Sequence, residues 1–236
     1  MGLYRDQGVV LRTIRLGESD RIVSLVTEGR GKVRAVAKGV RKTKSRFGAR
    51  LEPISHVALL LYEGRELDVV TQAEVVDHFR VIREDLDRLA RATAMLEATD
   101  QVAQERQANP RLYQMLVGAL RALAARNAPL LVPAFFLKLV SLEGFHPVLD
   151  GCASCGDDGD LVGFDLAEGG ALCRACARGR RISPEALALI GRVLDGGLAA
   201  ALNEPAGPVT AEVDAVATRA VEQHLERRLR SVGVLD

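Results

Sequence analysis

Gly29–Arg50 reads GRGKVRAVAKGVRKTKSRFGAR and holds nine Lys or Arg with no Asp or Glu. The whole chain of 236 residues carries a formal net charge of only +1. Positive charge is therefore local, which is the pattern of a protein that grips a polyanion at one place. From Lys32 the residues alternate: Lys32, Arg34, Val36 and Lys38 fall on one face of a strand, and Val33, Ala35 and Ala37 on the other. The spacing predicts basic groups fixed to a stiff sheet, followed by a flexible basic finger over Arg41–Arg46. A solvated, mobile charge run is the bland alternative. The candidate nucleic-acid contacts are Arg30, Lys32, Arg34, Lys38, Arg41, Lys42, Lys44, Arg46, Phe47 and Arg50. Phe47 is a stacking candidate within the finger, although a core or loop anchor is the commoner role of an aromatic.

Outward from this stretch the grammar is that of strands. Val9–Leu16, Ile22–Thr27, Lys32–Lys38, Ile54–Tyr62 and Leu67–Thr71 are short apolar or alternating runs. Gly17-Glu18-Ser19-Asp20, Glu28-Gly29-Arg30-Gly31 and Glu63-Gly64-Arg65 break them as turns. Five strands are too few for a sandwich, and closure into a small barrel removes their exposed edges. An OB-fold or an SH3-like barrel fits the pattern.

Near Glu74 the period changes to that of helices. The sequence predicts a long amphipathic helix from Glu84 to about Gln107, closed by Ala108-Asn109-Pro110, and a second from Arg111 to Arg126. Ala134–Glu143 is apolar on nearly all sides and reads as the centre of a helical domain. Ser183-Pro184-Glu185 starts a further helix, and Thr210 is the candidate cap of the last, which runs to about Ser231. The expected architecture is α+β, with a barrel over 1–79 and an all-helical domain over 80–236.

Cys152-Ala-Ser-Cys155 and Cys173-Arg-Ala-Cys176 stand in one segment, 150–179. Two such knuckles supply four thiolates to one tetrahedral Zn²⁺, and Leu161–Asp165 with Gly170–Leu172 read as strands of a zinc ribbon inserted in the helical domain. A full thiolate set leaves no open position, so the one expected zinc is structural. No thioredoxin-like βαβ pattern surrounds either pair, which disfavours a redox role. Arg174, Arg178, Arg180 and Arg181 make the second knuckle basic, either for phosphate or for solvent.

Apolar residues make up 48% of the chain and aromatics 4% without Trp, so the core is built of aliphatic side chains. No apolar run approaches a membrane span and the amino terminus lacks a signal-peptide core, which predicts a cytoplasmic protein. Gly29-Arg-Gly-Lys32 fails as a phosphate loop: the glycine spacing is wrong, and Val33 stands where Ser or Thr is required. His56, His78, His146 and His224 lie in unrelated contexts, and HExxH and GxSxG motifs are absent. The sequence predicts a binding protein and not an enzyme.

Gly8-Val-Val-Leu-Arg12, Gly17-Glu-Ser-Asp20, Ala37-Lys-Gly-Val-Arg41 and Leu142-Glu-Gly-Phe-His-Pro147 ahead of the cysteines resemble the bacterial RecO family of recombination mediators. The resemblance covers essentially the whole chain. It implies an N-terminal OB-fold, a helical C-terminal domain with a zinc element, and binding of single- and double-stranded DNA. It further implies strand annealing, partnership with RecR, contact with the C-terminal tail of the single-stranded DNA-binding protein, and indirect help to RecA at gaps. A protein of that kind is nucleoid-associated when on DNA. An RNA-binding translation or ribosome-associated factor and a zinc-stapled interaction adaptor are the alternative functions.

Overall fold

The computed structural model describes residues 2–42, 45, 47–178, 181–229 and 231. They form two compact units, which divide between Ala125 and Arg126. The first opens with β1 (Leu3–Leu16), β2 (Asp20–Thr27), β3 (Gly31–Ala37), β4 (His56–Tyr62) and β5 (Asp68–Asp77). These close in the order β1-β2-β3-β5-β4, with β3 parallel to β5 and the other pairs antiparallel. A meander joins sequential neighbours throughout, whereas the crossover that brings β5 between β3 and β4 is the Greek-key closure of an OB-fold.

The alternation read in β3 is present, with Gly31, Val33, Ala35 and Ala37 buried and Lys32, Arg34 and Val36 half-buried. Val33, Ala35 and Ala37 meet Val23, Leu25, Val57, Leu59, Leu61 and Val70 in the barrel core, which Val40, Phe47 and Leu51 join from the β3–β4 connection. β1 starts earlier than its apolar run, because Leu3–Gln7 still pairs with β4 while keeping Leu3, Arg5 and Gln7 exposed. β4 starts at His56 and not Ile54, whose φ of 76° is a left-handed conformation foreign to strands. Register shifts in β1 between Val10 and Arg12. This bulge turns Arg12 to the outer face, in one row with Ser24 and Arg34.

Three helices complete the first unit: α1 (Arg80–Arg83), α2 (Leu86–Val102) and α3 (Pro110–Ala125). Asp85 caps α2, its carboxylate accepting from the Arg88 N–H at 3.1 Å. The expected run of helix to Gln107 is corrected, since α2 stops at Val102. Past that point the chain lies along β3: the Lys32 N–H donates to the Gln104 carbonyl at 3.1 Å, and the Lys32 carbonyl accepts from the Arg106 N–H at 3.0 Å. β3 reaches β5 only at Ala35 and Val36. The first half of the strand must find main-chain partners elsewhere, and that demand overrides helix propensity after Val102.

The second unit holds α4 (Leu131–Leu142), β6 (Leu161–Asp165), β7 (Gly170–Cys173), α5 (Pro184–Leu194), α6 (Leu198–Ala201) and α7 (Pro208–His224). α4 is buried on almost every side and packs against α5 and α7. α5 starts as its sequence predicts, with Ser183 Oγ accepting from the Ala186 N–H at 3.2 Å. Thr210 is corrected from cap to first turn: Gly207 holds the cap position, and the Thr210 hydroxyl reaches back to accept from its N–H at 2.9 Å. α7 ends at His224, so Arg227 and Arg228 lie beyond it, while Arg230 is outside the described residues.

Candidate nucleic-acid interface and metal centre

The basic stretch divides into two halves with different surroundings. In the first half every cation has a carboxylate partner. Arg30 lies over the Tyr4 ring, 3.8 Å from its centroid, and holds Glu63 at 2.9 Å. Lys32 Nζ stands 2.8 Å from Asp100, whose other oxygen accepts from Arg12 Nε at 2.7 Å. Arg34 stands 3.5 Å from Glu105. Asp100 and Glu105 come from α2 and the segment after it. The expectation of one continuous basic track along β3 is therefore corrected, because local counter-charges bind Arg30, Lys32 and Arg34 into the packing of the first unit.

The second half is open. Lys38, Arg41 and Lys42 are exposed in the turn after β3. The turn is held from below: the Arg41 N–H donates to the Ser19 carbonyl at 3.0 Å, Arg41 Nη1 donates to the Glu18 carbonyl at 2.8 Å, and Asp20 accepts from the Gly39 N–H at 2.7 Å. That Gly39 N–H is the main reason the Asp20 carboxyl titrates below the usual range, with Ser19, Lys38 and Lys42 adding to it. Among the described residues Lys38 and Lys42 have no carboxylate within ion-pair distance. Lys44 and Arg46 lie outside the described residues. Arg50 is exposed in a short 3-10 turn, Gly48–Leu51.

Phe47 is 1% exposed and seals the barrel core beneath this turn, so its reading as a stacking aromatic is corrected. Burying such a side chain stabilises by about 1.5–3 kcal/mol. Arg15 was not foreseen. It is exposed and pairs in register with Arg21, which is itself the neighbour of Ala37 at the end of β3. Arg21 is neutralised by Glu52 at 2.5 Å. The only sequence cue to Arg15 was its place two residues before the Gly17 turn.

In the second unit the four cysteines converge. Their Sγ atoms all lie within 4.8 Å of one another, and Cys155 and Cys173 are 3.7 Å apart. Four sulfurs around a tetrahedral ion with metal–sulfur bonds of about 2.3 Å stand about 3.8 Å from each other. β6 and β7 bring Cys173 to the end of a hairpin, and the Cys152 carbonyl accepts from the Gly156 N–H at 2.8 Å, which rounds the first knuckle. Crowding splits the thiols. Backbone N–H donation, chiefly from Cys173, draws Cys152 down to about 6, while side-chain hydrogen bonds led by that of Cys155 push Cys176 up to about 12. A cation among them removes that conflict, and the set is fit to hold one metal ion.

Fold and sites together define a two-unit protein: an OB-fold barrel with a cationic turn over its end, and a helical unit carrying a four-thiolate ribbon. The family description Recombination protein O N terminal matches residues 1–79, and Recombination protein O C terminal matches residues 83–232. The chain belongs to the Recombination protein O family. Relatives named DNA repair protein RecO are 42% identical in Nocardioides sp. over 243 residues and 42% identical in Frankia casuarinae over 242 residues. The first alignment covers 99% of each chain, the second 100% of this chain and 99% of the relative. Among the described residues no helix is long and apolar enough to cross a membrane.

Proposed function

We propose that this chain is a non-catalytic recombination mediator in DNA repair that binds single- and double-stranded DNA through the turn after β3. Lys38, Arg41 and Lys42 carry the contact, with Arg15 and Arg50 at the margin. The supporting observation is that Lys38, Arg41 and Lys42 stand exposed on a turn anchored to the β1–β2 hairpin, while Lys32 and Arg34 of β3 are engaged by carboxylates. Neutralising phosphates on two strands lowers their mutual repulsion and releases counterions, so both strands stay close while their bases find partners. Annealing follows from that physics without sequence readout. Partnership with RecR, contact with the tail of the single-stranded DNA-binding protein and help to RecA are carried over from the family resemblance. So is a nucleoid location. The metal proposed for Cys152, Cys155, Cys173 and Cys176 is one structural Zn²⁺.

The test is the triple variant Lys38→Glu, Arg41→Glu, Lys42→Glu, measured with a mixed-sequence single strand and its duplex over a salt series. Loss of about a hundredfold in affinity at moderate salt is expected, with a shallower salt dependence and an unchanged circular dichroism spectrum. Affinity equal to that of the parent protein puts the site elsewhere. A matched RNA competitor that binds more tightly than DNA moves the protein to RNA.

A further inference from the structure

The three ion pairs that engage the first half of the basic stretch are not equally firm. Lys32 and Asp100 are closely packed, with side chains 14% and 9% exposed, and Lys32 Nζ also donates to the Asp100 carbonyl at 2.5 Å. Arg30 is fixed between Glu63 and the Tyr4 ring. Arg34 is different. Its Nη1 lies 3.5 Å from Glu105 Oε1, beyond good hydrogen-bond distance, and the two side chains are 37% and 53% exposed. Glu105 sits between Gln104 and Arg106, whose main chain is pinned to Lys32 on both sides. The backbone therefore stays in place while the carboxylate is free to turn into solvent.

We propose that Glu105 is a built-in competitor for phosphate at Arg34. When a nucleic-acid strand lies on the turn after β3, Arg34 gives up the carboxylate and takes phosphate oxygens in its planar fork, a geometry in which guanidinium binds either partner. Arg34 stands in β3 four residues before Lys38, which opens the turn after the strand, so a phosphate chain lying on that turn has only about 13 Å of extended main chain to follow to reach Arg34. Its neighbours in the row are Ser24 and Arg12, and Arg12 remains on Asp100. The consequence is an affinity held below its maximum by one acidic side chain, which suits a protein that must release the strands it has brought together. This inference rests on the proposed binding of nucleic acid at the turn.

The experiment compares wild type, Glu105→Gln, Arg34→Gln, the double variant and Arg34→Lys for binding to a mixed-sequence single-stranded oligonucleotide over a salt series. Glu105→Gln is expected to tighten binding by up to about fivefold while Arg34 is present, the range set by an exposed ion pair, and far less beside Arg34→Gln. Arg34→Gln alone is expected to weaken binding and to reduce the slope of log affinity against log salt by about 0.7, one phosphate's worth on a single strand. Arg34→Lys restores the slope. An equal effect of Glu105→Gln in both backgrounds, or a silent Arg34→Gln, overturns the proposal. If the Lys38, Arg41, Lys42 triple variant still loses binding in that case, only the role of Glu105 fails. If the triple variant binds like wild type, the reading on which it rests fails.

Discussion

At Gly31 two demands meet on one residue. Its φ of +66° is left-handed, and a Cβ there would lie 1.8 Å from the Gln107 carbonyl oxygen. Gly31→Ala therefore has to push the Gln104–Gln107 segment off β3 as well as strain the turn. We expect a loss of about 2–4 kcal/mol, read as a lower urea midpoint, with Gly17→Ala as the control: Gly17 is also left-handed, but nothing lies within 4 Å of its Cβ position. Equal losses at the two positions would show that backbone strain alone is at work. The turn requirement at Gly31 was legible, since Glu28-Gly-Arg-Gly31 is local turn chemistry. The close approach of Gln107 was not, because its cause lies far along the chain. Phe47 was ambiguous for a related reason: cations flank it in sequence, and only the closed barrel shows that Val40 and Leu51 bury it.

Elements differ in how much of their fate is local. The cysteine ribbon was readable because the spacing within each knuckle, the turn glycine and the flanking strands are all set by residues close in sequence, and metal ligation demands that chemistry. α2 was readable at its start, where Asp85 caps it, and misread at its end, where β3 takes over the main chain. Between β6 and β7 the core is small, with Cys152, Leu172 and Cys173 buried among Ala153, Leu161, Cys176 and Ala177. So few apolar groups do not fold a hairpin without help, which a metal ion held by the four thiolates would supply. One zinc per chain is expected by mass spectrometry of protein purified without chelator. Cys152→Ser with Cys155→Ser is expected to lose the zinc and to open the ribbon to proteolysis near Asp157–Asp160. Near-zero zinc in freshly prepared wild type, or a ribbon as protected in the variant as before, would remove the metal from the account.

For the molecule as a whole, the strands of the barrel end at Asp77, yet the compact unit that contains them runs to Ala125. Four connections explain why. Lys32 spends both main-chain groups on Gln104 and Arg106, and Lys32 and Arg12 share Asp100. Arg106 also reaches the Gly64 carbonyl at 2.8 Å and Asp68 at 3.1 Å. Asp68 is 4% exposed and is further held by the Tyr4 hydroxyl. The buried His56 ring bonds Tyr113 of α3 at 2.7 Å, and burial holds its pKa below the ordinary histidine value. A fragment of residues 1–79 keeps all five strands and loses Asp100, Gln104, Arg106 and Tyr113. Each buried polar group left unpaired costs about 1–3 kcal/mol, and a domain of this size has only about 5–15 kcal/mol in total. We therefore expect residues 1–125 to unfold cooperatively in urea and residues 1–79 to show a broad, non-cooperative transition with little near-ultraviolet dichroism. A 1–79 fragment that matches the longer one in midpoint and sharpness would mean that the barrel closes its β3–β5 gap unaided. Arg34 would then stand open to phosphate with no carboxylate to displace.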